Sequence, residues 1–186
     1  MDSPAITPTN EPAIVARAVI EPSAFATLYD HYFPRVYNYV RYRVHDAAVT
    51  DDLTAQIFEK ALAKLNTYDS AKAPFGAWLF AIARHTVANH RRGQWRWLSL
   101  DVLFNASSGA ASPEQHIIAQ EQQQHLLDAV ARLDERERDI IALKFGAELP
   151  NTEIADITGL TASNVGVILY RAIKTLRIYL VEDNEA

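Results

Sequence analysis

Residues 70–97 carry cations and aromatic side chains but no carboxylate. The cations are Lys72, Arg84, Arg91, Arg92 and Arg96, and the tryptophans among them are Trp78, Trp95 and Trp97. Arginine and lysine neutralise phosphates, and aromatic rings stack on unpaired bases. The stretch therefore has the side chains that binding of a single nucleic-acid strand requires. For Trp78 the alternative is packing in a hydrophobic core; for Trp95 and Trp97, stacking and packing both stay open.

A helix-turn-helix is the pattern of residues 149–177, LPNTEIADITGLTASNVGVILYRAIKTLR. A short first helix stops at Gly159, and Thr161 is a suitable N-cap for a second helix. The second helix is apolar at three- and four-residue steps, at Val165, Ile168, Leu169, Ala172, Ile173 and Leu176. Its cations are Arg171, Lys174 and Arg177, and residues 161–180 contain no acid. In a chain of net charge −5 this favours contact with phosphate, and an ordinary two-helix corner is the alternative.

Residue patterns typical of an enzyme or a metal site are missing. The chain has no cysteine, and its six histidines do not have the spacing of metal ligands. No glycine-rich phosphate loop is present in the sequence. Asp51 and Asp52 are adjacent, so on a helix they point in different directions. We therefore expect no catalysis, no metal and no cofactor.

Composition indicates a globular protein with an uneven charge distribution. Of the 186 residues, 49% are hydrophobic and 22% are charged. Residues 21–97 carry a net charge of +3 and residues 98–186 a net charge of −7. No apolar run reaches the roughly 18 residues that cross a bilayer, so we expect no membrane insertion. The absence of cysteine suits a reducing compartment, and the start of the chain lacks the features of a secretory signal.

Apolar periodicity predicts an all-α fold without strands. The expected helices span Ser23–Val44 with a kink or break at Pro34, Thr50–Leu65, Pro74 to about Trp95, Pro113–Leu133 and a helix from Asp134 to Gly146, followed by the helix-turn-helix. The inward face of the second helix is Leu53, Ile57, Phe58, Ala61, Leu62 and Leu65. That of the helix after Asp134 is Ile140, Ile141, Leu143 and Phe145.

Two domains are predicted because residues 98–112, LSLDVLFNASSGAAS, have no helical period. We expect a disordered tail at 1–20, a first domain at 21–97, a linker at 98–112, a second domain at 113–181 and an acidic tail at 182–186. Fully extended, such a linker reaches about 50 Å. A reach of about 50 Å corresponds to roughly 15 base pairs of DNA, so the domains could bind separated sites on one duplex.

Four segments of the chain, in order, resemble the bacterial extracytoplasmic-function (ECF) RNA polymerase sigma factors of the minimal two-domain type. They are DDLTAQIF at 51–58, FGAWLFAIARHTVANHRR at 75–92, LDERERDIIALKF at 133–145 and the helix-turn-helix. The resemblance covers residues 23–97, which are similar to the promoter-melting domain (region 2), and 113–180, which are similar to the promoter-upstream domain (region 4). It implies two small helical domains joined by a flexible linker.

The resemblance also implies a role for each segment. Core polymerase binding, at the clamp of the β′ subunit, falls on Asp52, Leu53, Gln56, Ile57 and Phe58, of which the three apolar residues could equally be core. Capture of the melted −10 element falls on Tyr68, Lys72, Trp78, Arg84, His85, Asn89, Arg91, Arg92 and Trp95. Recognition of the −35 duplex falls on Thr161, Ser163, Asn164, Gly166, Val167, Tyr170, Arg171 and Lys174.

The chain departs from the family pattern in the second helix of the helix-turn-helix and in region 2. Residues 165–168 are Val-Gly-Val-Ile where a polar or basic run is frequent, so Arg171, Lys174 and Arg177 would position phosphates and duplex shape would carry part of the specificity. In region 2, Ala55 stands where a polar residue is frequent, and His85 and Asn89 stand where Asn and Asp are common.

From these residues we expect a sigma factor that binds core RNA polymerase through the β′ clamp and the β flap. It would direct the enzyme to promoters, recognising the −35 duplex and capturing −10 bases. We also expect a bacterial cytoplasmic location, at the nucleoid when active, and an anti-sigma partner that can sequester the protein. The alternatives are a stand-alone helix-turn-helix regulator and a sigma-like decoy that binds polymerase without supporting initiation.

Overall fold

The computed structural model describes residues 10–98 and 114–182, with side chains for 10–93 and 123–181. These residues form helices and turns, and no strand occurs among them. The helices are α1 (Glu11–Ile20), α2 (Phe25–Val44), α3 (Ala47–Lys64), α4 (Phe75–Leu98), α5 (Glu114–Ala131), α6 (Glu135–Ile141), α7 (Asn151–Thr158) and α8 (Ala162–Glu182). The all-α prediction is confirmed. The predicted linker, apart from Leu98 at the end of α4, and the tail at 183–186 lie outside the described residues.

Helices α1 to α4 form the first unit, whose buried apolar side chains are continuous with those of the second. The largest fully buried side chains of this unit are Leu28, Tyr39, Leu53, Ile57, Phe75, Leu79 and Phe80. Helix α2 continues through Pro34 and is not divided. Helix α3 begins three residues earlier than predicted, because the Asp46 side chain accepts a hydrogen bond from Val49 N (2.8 Å) and caps it. Leu62, predicted to face inward, is 44% exposed.

Helix α1 contradicts the prediction of a disordered tail over the whole of residues 1–20. It is formed by Glu11–Ile20 and buries Ile14, Val15 and Ala18. The Glu11 carboxylate accepts hydrogen bonds from the Tyr32 hydroxyl and, at 3.2 Å, from Phe75 N at the start of α4. The segment orders because its apolar face and its carboxylate both find partners on the first unit; its Pro and Thr content alone favoured a tail.

Helices α5 to α8 form the second unit, around Leu127, Ile140, Ile141, Leu143 and Leu149. The predicted start of this helix at Asp134 is confirmed: Asp134 is the N-cap of α6, and its Oδ1 accepts a hydrogen bond from Glu137 N at 2.8 Å. Helix α6 passes into a turn of π-helix at Ala142–Gly146. Phe145 was predicted to be buried, but it is 50% exposed. The wider π turn moves this side chain off the face that the regular helical period assigned to it.

The two units pack directly against one another, which the sequence did not predict. The main contact is between α2 and the π turn, where an added Cβ on Gly146 would lie 2.9 Å from Tyr39 N and 3.0 Å from Asn38 C. Helix α4 also packs against α7. Backbone therefore meets backbone at Gly146, and only a residue without a side chain permits this approach.

We expect Gly146→Ala to destabilise the fold, because the new methyl group would lie against backbone atoms that cannot move aside. Overpacking of this kind costs about 1–3 kcal/mol. Thermal unfolding followed by circular dichroism should show a melting temperature lower by about 2–4 °C per kcal/mol.

Gly93→Ala is the matched control, since an added Cβ there has no heavy atom within 4 Å and the residue lies inside α4. That variant should be as stable as the parent or more so, because alanine is the better helix former. Equal melting temperatures for Gly146→Ala and the parent would contradict the close backbone contact.

Candidate nucleic-acid interface

The helix-turn-helix is formed by α7 and α8. Helix α7 ends at Gly159, whose φ of 72° lies in the left-handed region that glycine adopts without strain. The Thr161 hydroxyl accepts a hydrogen bond from Asn164 N at 3.1 Å, so the predicted N-cap of α8 is confirmed. Val165, Leu169, Ala172 and Leu176 of α8 are buried against the rest of the second unit. This packing fixes which face of α8 points to solvent.

The outward face of α8 holds the residues predicted to contact the −35 duplex. Exposed side chains there are Thr161, Ser163, Asn164, Val167, Tyr170, Arg171 and Lys174. Gly166 is half-buried, and an added Cβ would have only Asn151 Nδ2 nearby, at 3.9 Å. Tyr170 is 72% exposed and Val167 44%, so the face combines apolar side chains with cations. Such a face can insert into a groove and hold phosphates at its rim.

In the first unit, the turn before α4 is closed by hydrogen bonds. Tyr68 donates its hydroxyl proton to Ala73 O at 3.0 Å, and Asp69 Oδ1 accepts from Ala71 N at 3.0 Å. Lys72 lies 3.4 Å from Asp69 Oδ2, and the Lys72 side chain is 82% exposed. Burial raises the pKa of Tyr68 above its ordinary value. The hydroxyl therefore stays protonated and keeps donating to the turn.

Trp78 packs in an aromatic cluster. Core packing, which the sequence left as the alternative to base stacking, therefore accounts for most of its surface. Its ring centroid is 5.4 Å from those of Tyr68 and Phe75. It remains half-buried, so part of the residue is accessible. The side chains of Trp95 and Trp97 lie outside the described ones.

The basic face of α4 divides into an open part and a covered part. His85, Asn89 and Arg92 are exposed, and they hydrogen-bond along the helix: Arg92 Nη2 donates to Asn89 Oδ1 at 2.6 Å, and Asn89 Nδ2 lies 3.1 Å from His85 Nδ1. Arg84 and Arg91 instead pair with carboxylates of the second unit. These two arginines are engaged while the units are packed, with 42% of the Arg84 side chain and 23% of the Arg91 side chain still exposed.

The main acceptor in the covered part is the buried carboxylate of Asp139 in α6. Its Oδ1 accepts from the Tyr39 hydroxyl at 3.0 Å and lies 3.5 Å from Arg43 Nε. Its Oδ2 accepts from Arg84 Nε at 2.6 Å. Asp139 is 6% exposed and Arg43 is 4% exposed. Burial, together with the Asp139 charge, raises the pKa of Tyr39 well above its ordinary value.

Sequence reasoning missed this cluster, because the three partners lie 55 or more residues away from Asp139 in the chain. The available signal was an acid at the inward edge of α6, directly before Ile140 and Ile141. A carboxylate among buried aliphatic positions requires charged partners.

A cleft of about 920 Å³ opens between the units beside Asp139. The charged side chains that line it are Arg43, Arg84, His85, Arg91, Arg92, Glu135, Arg136 and Asp139. Burial, and then the charges of Arg43 and Arg138, lower the pKa of Arg91. The cleft is thus rich in cations, with the carboxylates of Glu135 and Asp139 among them.

Helix α3 presents polar residues outward and its apolar residues inward. Asp52 and Gln56 are exposed, whereas Leu53, Ile57 and Phe58 are at most 5% exposed. The three apolar residues thus lie in the core, the alternative that the sequence left open for them, and contact of α3 with core polymerase stays a prediction. The period of α3 turns them into the core of the first unit, where Phe58 packs against Phe25 and Tyr29.

Neither a metal site nor a membrane-spanning helix occurs among the described residues. No group of three or more His, Asp or Glu side chains in this part of the chain is placed to hold a metal ion. None of the described helices is both long enough and apolar enough to cross a membrane.

Two family models match the chain, one on each unit. The Sigma-70 region 2 model matches residues 28–96, and the Sigma-70 region 4 model matches residues 123–176. Together they cover about two thirds of the chain and correspond to α2–α4 and to the helices around the helix-turn-helix.

Similar proteins agree with these models. The ECF RNA polymerase sigma factor BldN of Streptomyces coelicolor is 34% identical over 165 residues, which are 88% of this chain and 62% of BldN, so the chain spans less than two thirds of that relative. The RNA polymerase sigma factor YlaC of Bacillus subtilis is 27% identical over 85% of this chain and 92% of YlaC.

Two solved structures share the fold at 22% identity and a TM-score of 0.70. They are CnrH in complex with the cytosolic domain of CnrY, covering 93% of this chain and 98% of that one, and the sigma factor RpoE of Bartonella quintana in complex with the anti-sigma factor NepR, covering 84% and 96%.

The N-cap stabilises the start of α8, and the size of this contribution can be tested. Thr161→Ala removes the hydroxyl that satisfies Asn164 N, so we expect it to destabilise the fold by about 1 kcal/mol in chemical denaturation. Ser163→Ala is the matched control, because Ser163 is exposed on the same helical turn. If both variants unfold at the same denaturant concentration as the parent, the cap does not contribute to stability.

Proposed function

Because this chain belongs to the ECF group of RNA polymerase sigma factors, we propose that it binds core RNA polymerase and directs it to promoters with the division of labour given below. The single observation that supports this most strongly is the presence of both family regions, each folded with a cationic face on one helix. A stand-alone regulator would need the second unit only. The chain itself would catalyse no reaction, and polymerase would carry the chemistry.

For the −35 element we propose the exposed face of α8. Arg171 and Lys174 would contact phosphates, while Ser163, Asn164 and Tyr170 would lie closer to the bases. Phosphate contacts position a protein on the duplex, and base contacts specify the sequence. Because Val167 and Gly166 offer no hydrogen-bonding side chains at the centre of this face, duplex shape would contribute to the choice of promoter.

For the −10 element we propose the turn at Tyr68–Ala73 and the basic face of α4. Unpaired bases would lie against the accessible part of Trp78 and the turn, and Arg92 with Lys72 would hold the phosphates of the melted strand. Trapping unstacked bases offsets an unstacking cost of a few kcal/mol per flipped base. Arg84 and Arg91 would join this surface when the two units separate.

Docking on core polymerase would use the exposed side of α3, which includes Asp52 and Gln56. A carboxylate at the rim of an interface acts on partner choice and association rate more than on affinity.

We also propose docking of the second unit on the β flap and a location in the bacterial cytoplasm, at the nucleoid when active. A sigma factor of this fold has been solved with an anti-sigma protein, and we propose such a partner for this chain.

The two DNA faces can be separated by charge reversal. Lys174→Glu should weaken promoter binding at all promoters by a similar factor and reduce the salt dependence of that binding, because a phosphate contact is lost. Arg92→Glu should leave the −35 contact intact and reduce open complexes, measured by permanganate reactivity of −10 thymines with reconstituted holoenzyme. Core binding should persist in both.

The control is Arg17→Glu, which reverses one exposed charge on α1, a helix that carries none of the residues assigned to either face. It should behave like the parent in each assay. Full promoter opening by the Arg92→Glu holoenzyme would contradict the region 2 assignment, and unchanged promoter affinity of Lys174→Glu would contradict the region 4 assignment.

Docking of α3 on core polymerase can be tested by reversing the charge of Asp52. Asp52→Arg should weaken binding to core polymerase in a pull-down or by fluorescence anisotropy, while thermal stability stays that of the parent, since Asp52 is exposed. Asp51→Arg is the matched control, because the adjacent residue is also exposed but points about 100° away around the helix. Loss of core binding by Asp51→Arg alone would place the docking surface on a different face of α3.

A further inference from the structure

We propose that α1 takes part in the capture of −10 bases, because the Glu11 carboxylate fixes the position of the turn at Tyr68–Ala73. Glu11 would be a positioning residue, which touches no DNA itself and acts through that turn. The inference rests on the proposed function of the turn. It adds a role for a helix that lies before the family region, since the Sigma-70 region 2 model begins its match at residue 28.

Helix α1 is seated on the first unit beside the capture turn. Its apolar face consists of Ile14, Val15 and Ala18, which are at most 6% exposed. The helix contacts the short 3-10 helix Leu65–Thr67, which ends directly before Tyr68, and it also contacts α4. Helix α1 therefore touches both elements between which the turn runs.

Both oxygens of the Glu11 carboxylate accept hydrogen bonds. Oε1 accepts from the Tyr32 hydroxyl, and Oε2 accepts from Phe75 N at 3.2 Å. Phe75 is the first residue of α4, so its N–H has no acceptor within its own helix. The first turn of α4 contains no acidic residue, although a negative charge is favourable at a helix N-terminus. Glu11 supplies that charge and that acceptor from α1.

The bond to Tyr32 anchors the carboxylate to the core of the first unit. Tyr32 is 4% exposed, so its hydroxyl is held in one place by the surrounding packing. Burial, and then the hydrogen bond to Glu11, raise the pKa of Tyr32 above its ordinary value. The hydroxyl stays protonated and keeps donating to the carboxylate, which in turn holds Phe75 N.

Aromatic packing connects the partners of this carboxylate to the turn. The ring centroid of Phe75 lies 5.5 Å from that of Tyr32 and 5.5 Å from that of Tyr68. An added Cβ on Gly76 would lie 3.1 Å from the Tyr32 hydroxyl oxygen, so Tyr32 packs closely on the start of α4. Tyr68 closes the turn by donating to Ala73 O. A displacement of Phe75 would therefore reach the turn through Tyr68.

Capture of an unpaired base depends on how well this turn is formed beforehand. A turn that had to order itself when the base arrives would lose conformational entropy at that moment, and the base would bind more weakly. Glu11 would meet this requirement in advance. The other role open to Glu11 is general stabilisation of the first unit, which would not distinguish one base from another.

The test uses holoenzyme reconstituted from core polymerase and the full chain. A promoter is selected from a randomised library by the parent holoenzyme, and its −10 strand is made as a fluorescein-labelled oligodeoxynucleotide. Anisotropy gives the affinity for this oligodeoxynucleotide and for versions in which one −10 base at a time is replaced by an abasic site. The ratio of the two affinities, called here the abasic penalty, does not depend on the fraction of holoenzyme that is active.

For the parent we expect an abasic penalty of about tenfold at the captured base, which is the factor that stacking of one base contributes. Glu11→Ala should bind the intact oligodeoxynucleotide nearly as weakly as the abasic one, while its affinity for core polymerase stays that of the parent. Tyr32→Phe, which keeps the ring and removes only the hydroxyl, should reduce the penalty by less. Circular dichroism verifies that each variant is folded.

Glu21→Ala is the matched control, because it removes the same charge at an exposed residue directly after α1. Glu21 lies ten residues beyond Glu11, which is about 15 Å along the helix axis. This variant should keep the abasic penalty of the parent.

The outcomes separate this inference from the proposed function. If Glu11→Ala and Tyr32→Phe keep the penalty of the parent while Arg92→Glu weakens binding, the −10 assignment stands and the positioning role is wrong. If Glu11→Ala weakens the intact and the abasic oligodeoxynucleotides by the same factor, Glu11 only stabilises the unit and the inference is overturned. If the parent shows no penalty at any position and Arg92→Glu has no effect, the −10 role of the turn and of α4 fails, and the inference fails with it.

Discussion

The packing of the two units depends on one carboxylate that would be costly to bury alone. Asp139 is 6% exposed, and its charge is acceptable there because Tyr39 and Arg84 donate hydrogen bonds to it and Arg43 Nε lies 3.5 Å away. Removing one member of such a buried pair typically costs about 3–5 kcal/mol, because the remaining charges lose their partner. The cost falls on both units at once, since the cations come from one and the carboxylate from the other. This requirement adds to the contact of the π turn with α2 in fixing the position of α6.

The same constraint acts on the two cationic faces for which we propose DNA contacts. Helix α6 carries Asp139 on the side that meets the first unit, and α8 packs on the rest of the second unit through Val165, Leu169, Ala172 and Leu176. The opposite face of α8, with Arg171 and Lys174, points to solvent. On α4, Arg84 and Arg91 pair with carboxylates of α6, and 42% and 23% of their side chains stay exposed. The cations of α4 are thus partly engaged within the chain, whereas those of α8 are open.

Much of the fold could be predicted from local rules, because they act within a few residues. Asp134 and Thr161 cap their helices as their side-chain types predict, Gly159 ends α7, and the apolar period assigns the buried face of α8. The errors occur where the outcome depends on distant residues. Helix α1 orders because Glu11 finds Tyr32 and Phe75, and Phe145 is exposed because a π turn interrupts the period. For the candidate site, residue types indicated phosphate binding, but no local rule could show that Arg84 already has a carboxylate partner.

The contacts of α6 with the first unit differ in their exposure to solvent. Glu135 lies at the rim, where exposed ion pairs contribute about 0.2–1 kcal/mol and are screened by salt. Asp139 lines the same cleft but is 6% exposed, between the accessible side chain of Arg84 (42% exposed) and the buried one of Arg43 (3% exposed). The bond of Arg35 to Ala147 and the backbone contact at Gly146 do not line the cleft. The packing of the two units therefore does not depend on the solvent-accessible ion pairs alone.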